Sequence, residues 1–140
     1  MLSLSQLQHV NQKSTKKGKV HDMIKNSKLQ NLFKLSSKVT VIVPATININ
    51  EEIDNTKYVD SVAQLLSECF GGATATQTIG YWTSPTAGLV KEKSTTVFAY
   101  CKELDLQNNI EKVIDKCLEL KEELSQDAIA LEINGEMYFI

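Results

Sequence analysis

The chain has 140 residues, of which 42% are hydrophobic and 23% charged, and a formal net charge of −2. That length predicts one domain with a buried core. No apolar run approaches the ~20 residues needed to cross a bilayer. Leu2, Leu4 and Leu7 are diluted by Ser and Gln, unlike a signal-peptide core, so the expected location is cytoplasmic.

The charge is uneven. Residues 1–38 carry eight Lys against Asp22, a balance of +7, and residues 39–140 balance at −9. The expected organisation is a lysine-rich arm over 1–38 with a short helix, then one α+β domain over 39–140. With no arginine, any anion contact rests on lysine or backbone N–H groups. Lys13, Lys16, Lys17 and Lys19 are the candidates for a protein or anionic partner.

Residues 1–19 are polar without a sustained period. From Val20 to Leu35 apolar residues recur at helix-like spacing, with an interruption near Asn26 and Ser27. A short amphipathic helix is expected there, packed on the domain as a lid or docked on a partner.

Val39 to Ile47 reads as a central strand, apolar on both faces and loosened at Pro44, which lacks an N–H. A polar loop follows. Asp54, Asn55 and Thr56 offer capping oxygens, and Val59, Val62, Ala63, Leu66, Cys69 and Phe70 form the stripe of a helix. Gly71 and Gly72 end it, a place for left-handed backbone.

Ala73 to Thr83 alternates small residues with threonine and then reaches Ile79, Gly80, Tyr81 and Trp82. Pro85 and Gly88 mark a turn into a second strand from Leu89 to Cys101. A helix is expected from Leu106 to Leu124, with Ile110, Val113, Ile114, Cys117, Leu120 and Leu124 buried. Ala128 to Ile133 is a strand, and Asn134–Gly135 predicts a type I′ turn into an edge strand.

The order β-α-β-β-α-β with one added strand predicts a ferredoxin-like split βαβ sandwich: an antiparallel sheet with two helices on one face. Gly71, Gly72, Gly80, Gly88, Asn134 and Gly135 are the expected structural turn positions.

Four motifs then line up: Phe70-Gly71-Gly72-Ala73-Thr74, Gly80-Tyr81-Trp82, Gly88-Leu89-Val90-Lys91-Glu92, and Ser125-Gln126-Asp127-Ala128-Ile129. Over residues 39–133 this resembles the domain-of-unknown-function family 3574, short prokaryotic proteins with no established activity. Ala128 stands where a serine is usual in that family, and the lysine arm is a second departure. The resemblance implies the fold and no reaction.

The chemistry is sparse. His9 and His21 both lie in the arm, so neither a histidine-dependent triad nor a conventional zinc site is expected. No Walker A or GxGxxG motif is present, and no cofactor is implied. Cys69, Cys101 and Cys117 form no CxxC pair and read as small buried hydrophobes, with a catalytic thiol conceivable at Cys101. Glu51-Glu52 and Glu122-Glu123 read as solvated charges.

The best polar cluster is Trp82, Glu92, Tyr100 and Gln126. A carboxylate beside an indole gains basicity on desolvation and can act as a base. The plainer reading pairs Glu92 with Lys91 or Lys93 and lets Trp82 fill the core edge. Two functions compete. One is a binding module that self-associates as a homodimer through its free sheet face, decorated by Thr74, Thr76, Thr78, Thr95 and Thr96 on that face or its reverse. The other is a small enzyme or ligand-binding protein with a pocket near Trp82 and Glu92. Nucleic-acid association through the basic arm is a weaker third, since the rest of the chain is acidic.

Overall fold

The computed structural model describes residues 24–48 and 50–140. Five strands form one antiparallel sheet: β1 (Ser37–Pro44), β4 (Thr74–Ser84), β5 (Gly88–Cys101), β6 (Ala130–Ile133) and β7 (Glu136–Phe139), in the order β4-β5-β1-β6-β7. A small ladder pairs β2 (Thr46–Ile47) with β3 (Glu51–Glu52). The helices among the described residues are α1 (Ser27–Gln30), α2 (Thr56–Phe70) and α3 (Glu103–Glu123). The result is the α+β, ferredoxin-like split βαβ arrangement, with β7 added at one edge.

Side chains alternate across a strand, and here the odd positions of β1 and β5 face the helices. Val39, Val41, Val43, Val97, Ala99 and Cys101 are buried against Val62 and Leu66 of α2 and Leu106, Val113, Cys117 and Leu120 of α3. One cluster therefore holds both long helices on the same side of the sheet. Lys116 ties them at the surface, donating to Ser61 Oγ at 2.9 Å and pairing with Glu119 at 3.1 Å.

The ends of these elements follow local chemistry. Before α2, Asp54 accepts from the backbone N–H and the hydroxyl of Thr56. The Thr56 hydroxyl first, then its N–H, holds the Asp54 carboxyl below its usual range. Asn55, at the cap position, turns inward and donates to the carbonyls of Val43 and Pro44 and to Thr95 Oγ1, each at 3.3 Å. Glu103 and Asp105 suit the positive start of α3.

Gly71 takes φ +92° and its N–H donates to Ser67 at 2.8 Å, so it is the residue that closes α2. Asn134 and Gly135, at φ 52° and 83°, make the expected tight turn. Asn134 also bridges to β1, accepting from Lys38 N at 2.8 Å through its side chain and donating to Lys38 O at 3.0 Å.

Several expectations need correction. The polar loop after β1 contains the β2–β3 ladder. Gly80 lies within β4 opposite Glu92, away from any turn. Of the amphipathic helix expected over 20–35, residues 20–23 lie outside the described residues, and the rest holds only the single turn α1, capped by Asn26. Its surroundings are not packed as a lid: Ile24, Leu32 and Phe33 are 62–77% exposed. Four residues give too few intrahelical bonds to offset nucleation. The expected lysine contacts of Lys13, Lys16, Lys17 and Lys19 lie outside the described residues. No described helix is long and apolar enough to cross a membrane.

Candidate functional site

The free face of the sheet carries the even-numbered side chains of β1, β4, β5 and β6. In register they are Thr78 opposite Ser94, Gly80 opposite Glu92, and Trp82 opposite Val90, with Ile42 and Pro44 of β1 alongside Thr96 and Ser94. Thr78 Oγ1 lies 2.8 Å from Ser94 Oγ and 3.0 Å from Thr96 Oγ1, which makes a short hydroxyl ladder across two strands. On the next strand pair, Thr40 donates to Glu132 at 3.4 Å.

Gly80 decides the shape. With no side chain there, the surface beside Glu92 dips into a cavity of about 340 Å³. Its lining includes Ile42, Pro44, Thr78, Gly80, Glu92 and Thr96. A β-carbon on Gly80 would meet nothing closer than Glu92 O at 3.8 Å, so glycine here preserves space rather than avoiding a clash. The volume sits at the low end of small-molecule pockets. The site offers a carboxylate at its wall, hydroxyls along one side and an apolar floor from Ile42 and Pro44.

The four-residue cluster expected from the sequence divides. Trp82 and Glu92 do share this face as diagonal neighbours, about 7–8 Å apart by sheet geometry. Trp82 is half-buried, and its indole N–H is buried without an acceptor among the described residues. Tyr100 is on the same face but eight positions along β5 from Glu92, opposite Lys38. There it meets Phe98 edge-on at 6.0 Å, and the Lys38 ammonium lies over both rings. Gln126 is elsewhere altogether. It is buried where α3 ends, and its amide donates to Thr46 O at 3.0 Å and Leu124 O at 3.1 Å, fastening β2 to the helix. A buried amide with both bonds spent on backbone is a brace.

Thr74, Thr76, Thr78 and Thr96 decorate the free face, whereas Thr95 points to the helices and receives Asn55. The sequence reading did not single out Ser94, Ile42 or Pro44 as lining residues. The signal was present in parity: once Glu92 is placed on a face, Ser94 and Thr96 must join it.

Cys101 and Cys117 are buried and offer no nucleophile here. Burial and the nearby Asp105 carboxylate raise the Cys101 pKa, and burial pushes that of Cys117 to about 12. A protonated thiol out of reach of solvent does not attack. Among the described residues no three His, Cys, Asp or Glu side chains sit together in a way that could hold a metal ion. A second concavity of about 400 Å³ opens beside Gly71 and Gly72, against Phe70, Phe98 and Tyr100.

No protein-family model matches the sequence, and no curated protein matches it. Among solved structures, a phage SAM lyase without ligand is similar, at TM-score 0.56 and 19% identity over 76% of this chain and 89% of that one. The same kind of lyase in complex with S-methyl-5′-thioadenosine gives TM-score 0.54 and 19% identity over 74% and 88%. A Bacillus cereus protein related to NIF3 aligns with 74% of this chain but 24% of its own, at TM-score 0.38 and 17% identity. At these identities the two lyase structures establish a shared α+β fold.

Proposed function

We propose that this chain is a small-molecule-binding protein, with its site in the cavity over Gly80 and Glu92, and that the ligand is a sulfonium or thioether nucleoside. The observation that carries this is the cavity itself: a carboxylate, three linked hydroxyls and an apolar floor gathered where a glycine makes room. A carboxylate complements a sulfonium cation, hydroxyls match a ribose, and Ile42 and Pro44 provide apolar surface for a thioether or base. The shared fold with a lyase solved with S-methyl-5′-thioadenosine supports the choice of ligand class.

Trp82 provides the readout. Titrating the full chain with S-adenosylmethionine or S-methyl-5′-thioadenosine should change Trp82 fluorescence in a saturable way. Glu92→Gln should weaken the cationic nucleoside more than the neutral thioether. Release of S-methyl-5′-thioadenosine from S-adenosylmethionine, followed by chromatography, separates an enzyme from a binder. No saturable change with either nucleoside, confirmed by calorimetry, would refute the reading.

A second reading is self-association across the free sheet face. The group at one end of that face, exposed Tyr100 with half-buried Phe98 and Lys38, favours it. Capture of an anionic partner by Lys13, Lys16, Lys17 and Lys19 is compatible with either and should weaken steeply with salt.

A further inference from the structure

We propose that the outer edge of β4 pairs with β4 of a second copy, antiparallel about a twofold axis, joining two sheets into one. An unpaired edge strand presents a row of backbone donors and acceptors, and proteins normally blunt such edges with charge, proline, a bulge or short length. β4 has none of these protections. It is eleven residues long, Thr74 to Ser84, and contains no charged residue and no proline. Its register with β5 runs unbroken from Thr74 opposite Phe98 to Ser84 opposite Gly88, so no bulge twists it away. It also sits in the longest uncharged run of the sequence, residues 69–90.

The other edge of the sheet is managed differently. β7 has four residues and opens with Glu136. A long neutral edge needs an equally long neutral edge to satisfy it, and among the described strands only another β4 supplies one. Antiparallel pairing about a twofold axis is self-complementary, as a closed dimer requires. On the helix side of β4, Ile79 and Tyr81 are 56% and 57% exposed, because the β4–β5 hairpin runs beyond the helices at that end. Pairing brings both copies' Ile79 and Tyr81 together on one face, where cross-strand apolar pairs form. It also sets the second copy along the rim of the Gly80 cavity, since Thr78 and Gly80 line it. This association uses the sheet edge rather than its free face, and it does not depend on the nucleoside reading.

Sedimentation equilibrium of the full chain, with no nucleoside present, tests it. The expected species has twice the 15.6 kDa chain mass. With the axis at Ile79, the middle of β4, the two copies of residue 79 lie opposite each other, so Ile79→Lys, at an exposed edge position, should raise the dimer dissociation constant at least about tenfold through like charges brought together across the twofold axis. Mixing Ile79→Lys with Ile79→Glu should restore a dimer of the two variants, which a folding defect would not do. A monomer at all concentrations would overturn the proposal. So would a dimer that survives Ile79→Lys, or one dissolved by Tyr100→Lys on the free face or Tyr138→Lys on β7 instead.

Discussion

Gly71 and Gly72 are adjacent and chemically identical, and the structure assigns them opposite responses to the same substitution. Gly71 closes α2 at φ +92°, ψ −7°, while Gly72 has no positive φ. A β-carbon built on either meets nothing within 4 Å, so no packing term enters. What remains is backbone conformation. Left-handed geometry costs an L-residue roughly 1–2 kcal/mol, so Gly71→Ala should destabilise by about that amount. Gly71→Val should cost more, because a β-branched side chain tolerates that region least. Gly72→Ala should be neutral or stabilise by about 0.4–1 kcal/mol, through the lost freedom of the unfolded chain. Urea unfolding followed by circular dichroism, with unchanged denaturant slopes, reads the difference directly. Equal losses at the two positions would refute the assignment of the cap to Gly71. A stable Gly71→Val variant would show that the turn needs no glycine.

Two further outcomes follow from burial. Leu66 is fully enclosed, so Leu66→Ala should cost ~2–5 kcal/mol in the same assay. Ile114, expected at the centre of the apolar stripe, is only half-buried beside the enclosed Val113, so Ile114→Ala should fall at or below the lower end of that range, ~2 kcal/mol. Thiol titration with a colorimetric disulfide reagent at neutral pH should label half-buried Cys69 first, and Cys101 and Cys117 only on unfolding. Because the folded pKa of Cys117 is raised to about 12 from an ordinary 9.0, the unfolded chain loses its proton first as pH rises. Stability should therefore decline between those two values, with a slope approaching about 1.4 kcal/mol per pH unit for that one group. A flat stability profile across that window would refute it.

The sheet and both long helices were legible because their signals are periodic. Val39, Val41 and Val43 alternate, the α2 stripe repeats every three or four residues, and Asn134–Gly135 has one favoured geometry. The β2–β3 ladder was not legible, since two-residue strands have no period and depend on neighbours: Ala45 bonds Lys93, and Gln126 reaches back to Thr46. The site was half legible. Trp82 and Glu92 could be placed on one face by counting around a turn. Tyr100 and Gln126 could not be excluded from the cluster without knowing how far the hairpin extends and where α3 ends. Polar residue types alone do not separate a brace such as Gln126 from a ligand contact. The described part of the helix expected over 20–35 shows the converse: apolar spacing without a partner surface yielded one turn.

The central position of β1 also has a consequence for how the chain reaches this state. Thr40 is opposite Phe98 on one side and Glu132 on the other, and the latter lies 92 positions further along. During synthesis β1 leaves the ribosome well before either neighbour exists. Its apolar run of Val39, Val41, Ile42 and Val43 must therefore wait, unpaired on both sides until β5 is made and on one side until β6 follows. Such non-local pairings are slow because loop closure precedes any reward. The strand that ends up deepest is thus the one exposed longest, and it is the segment on which a folding chaperone would have most to hold.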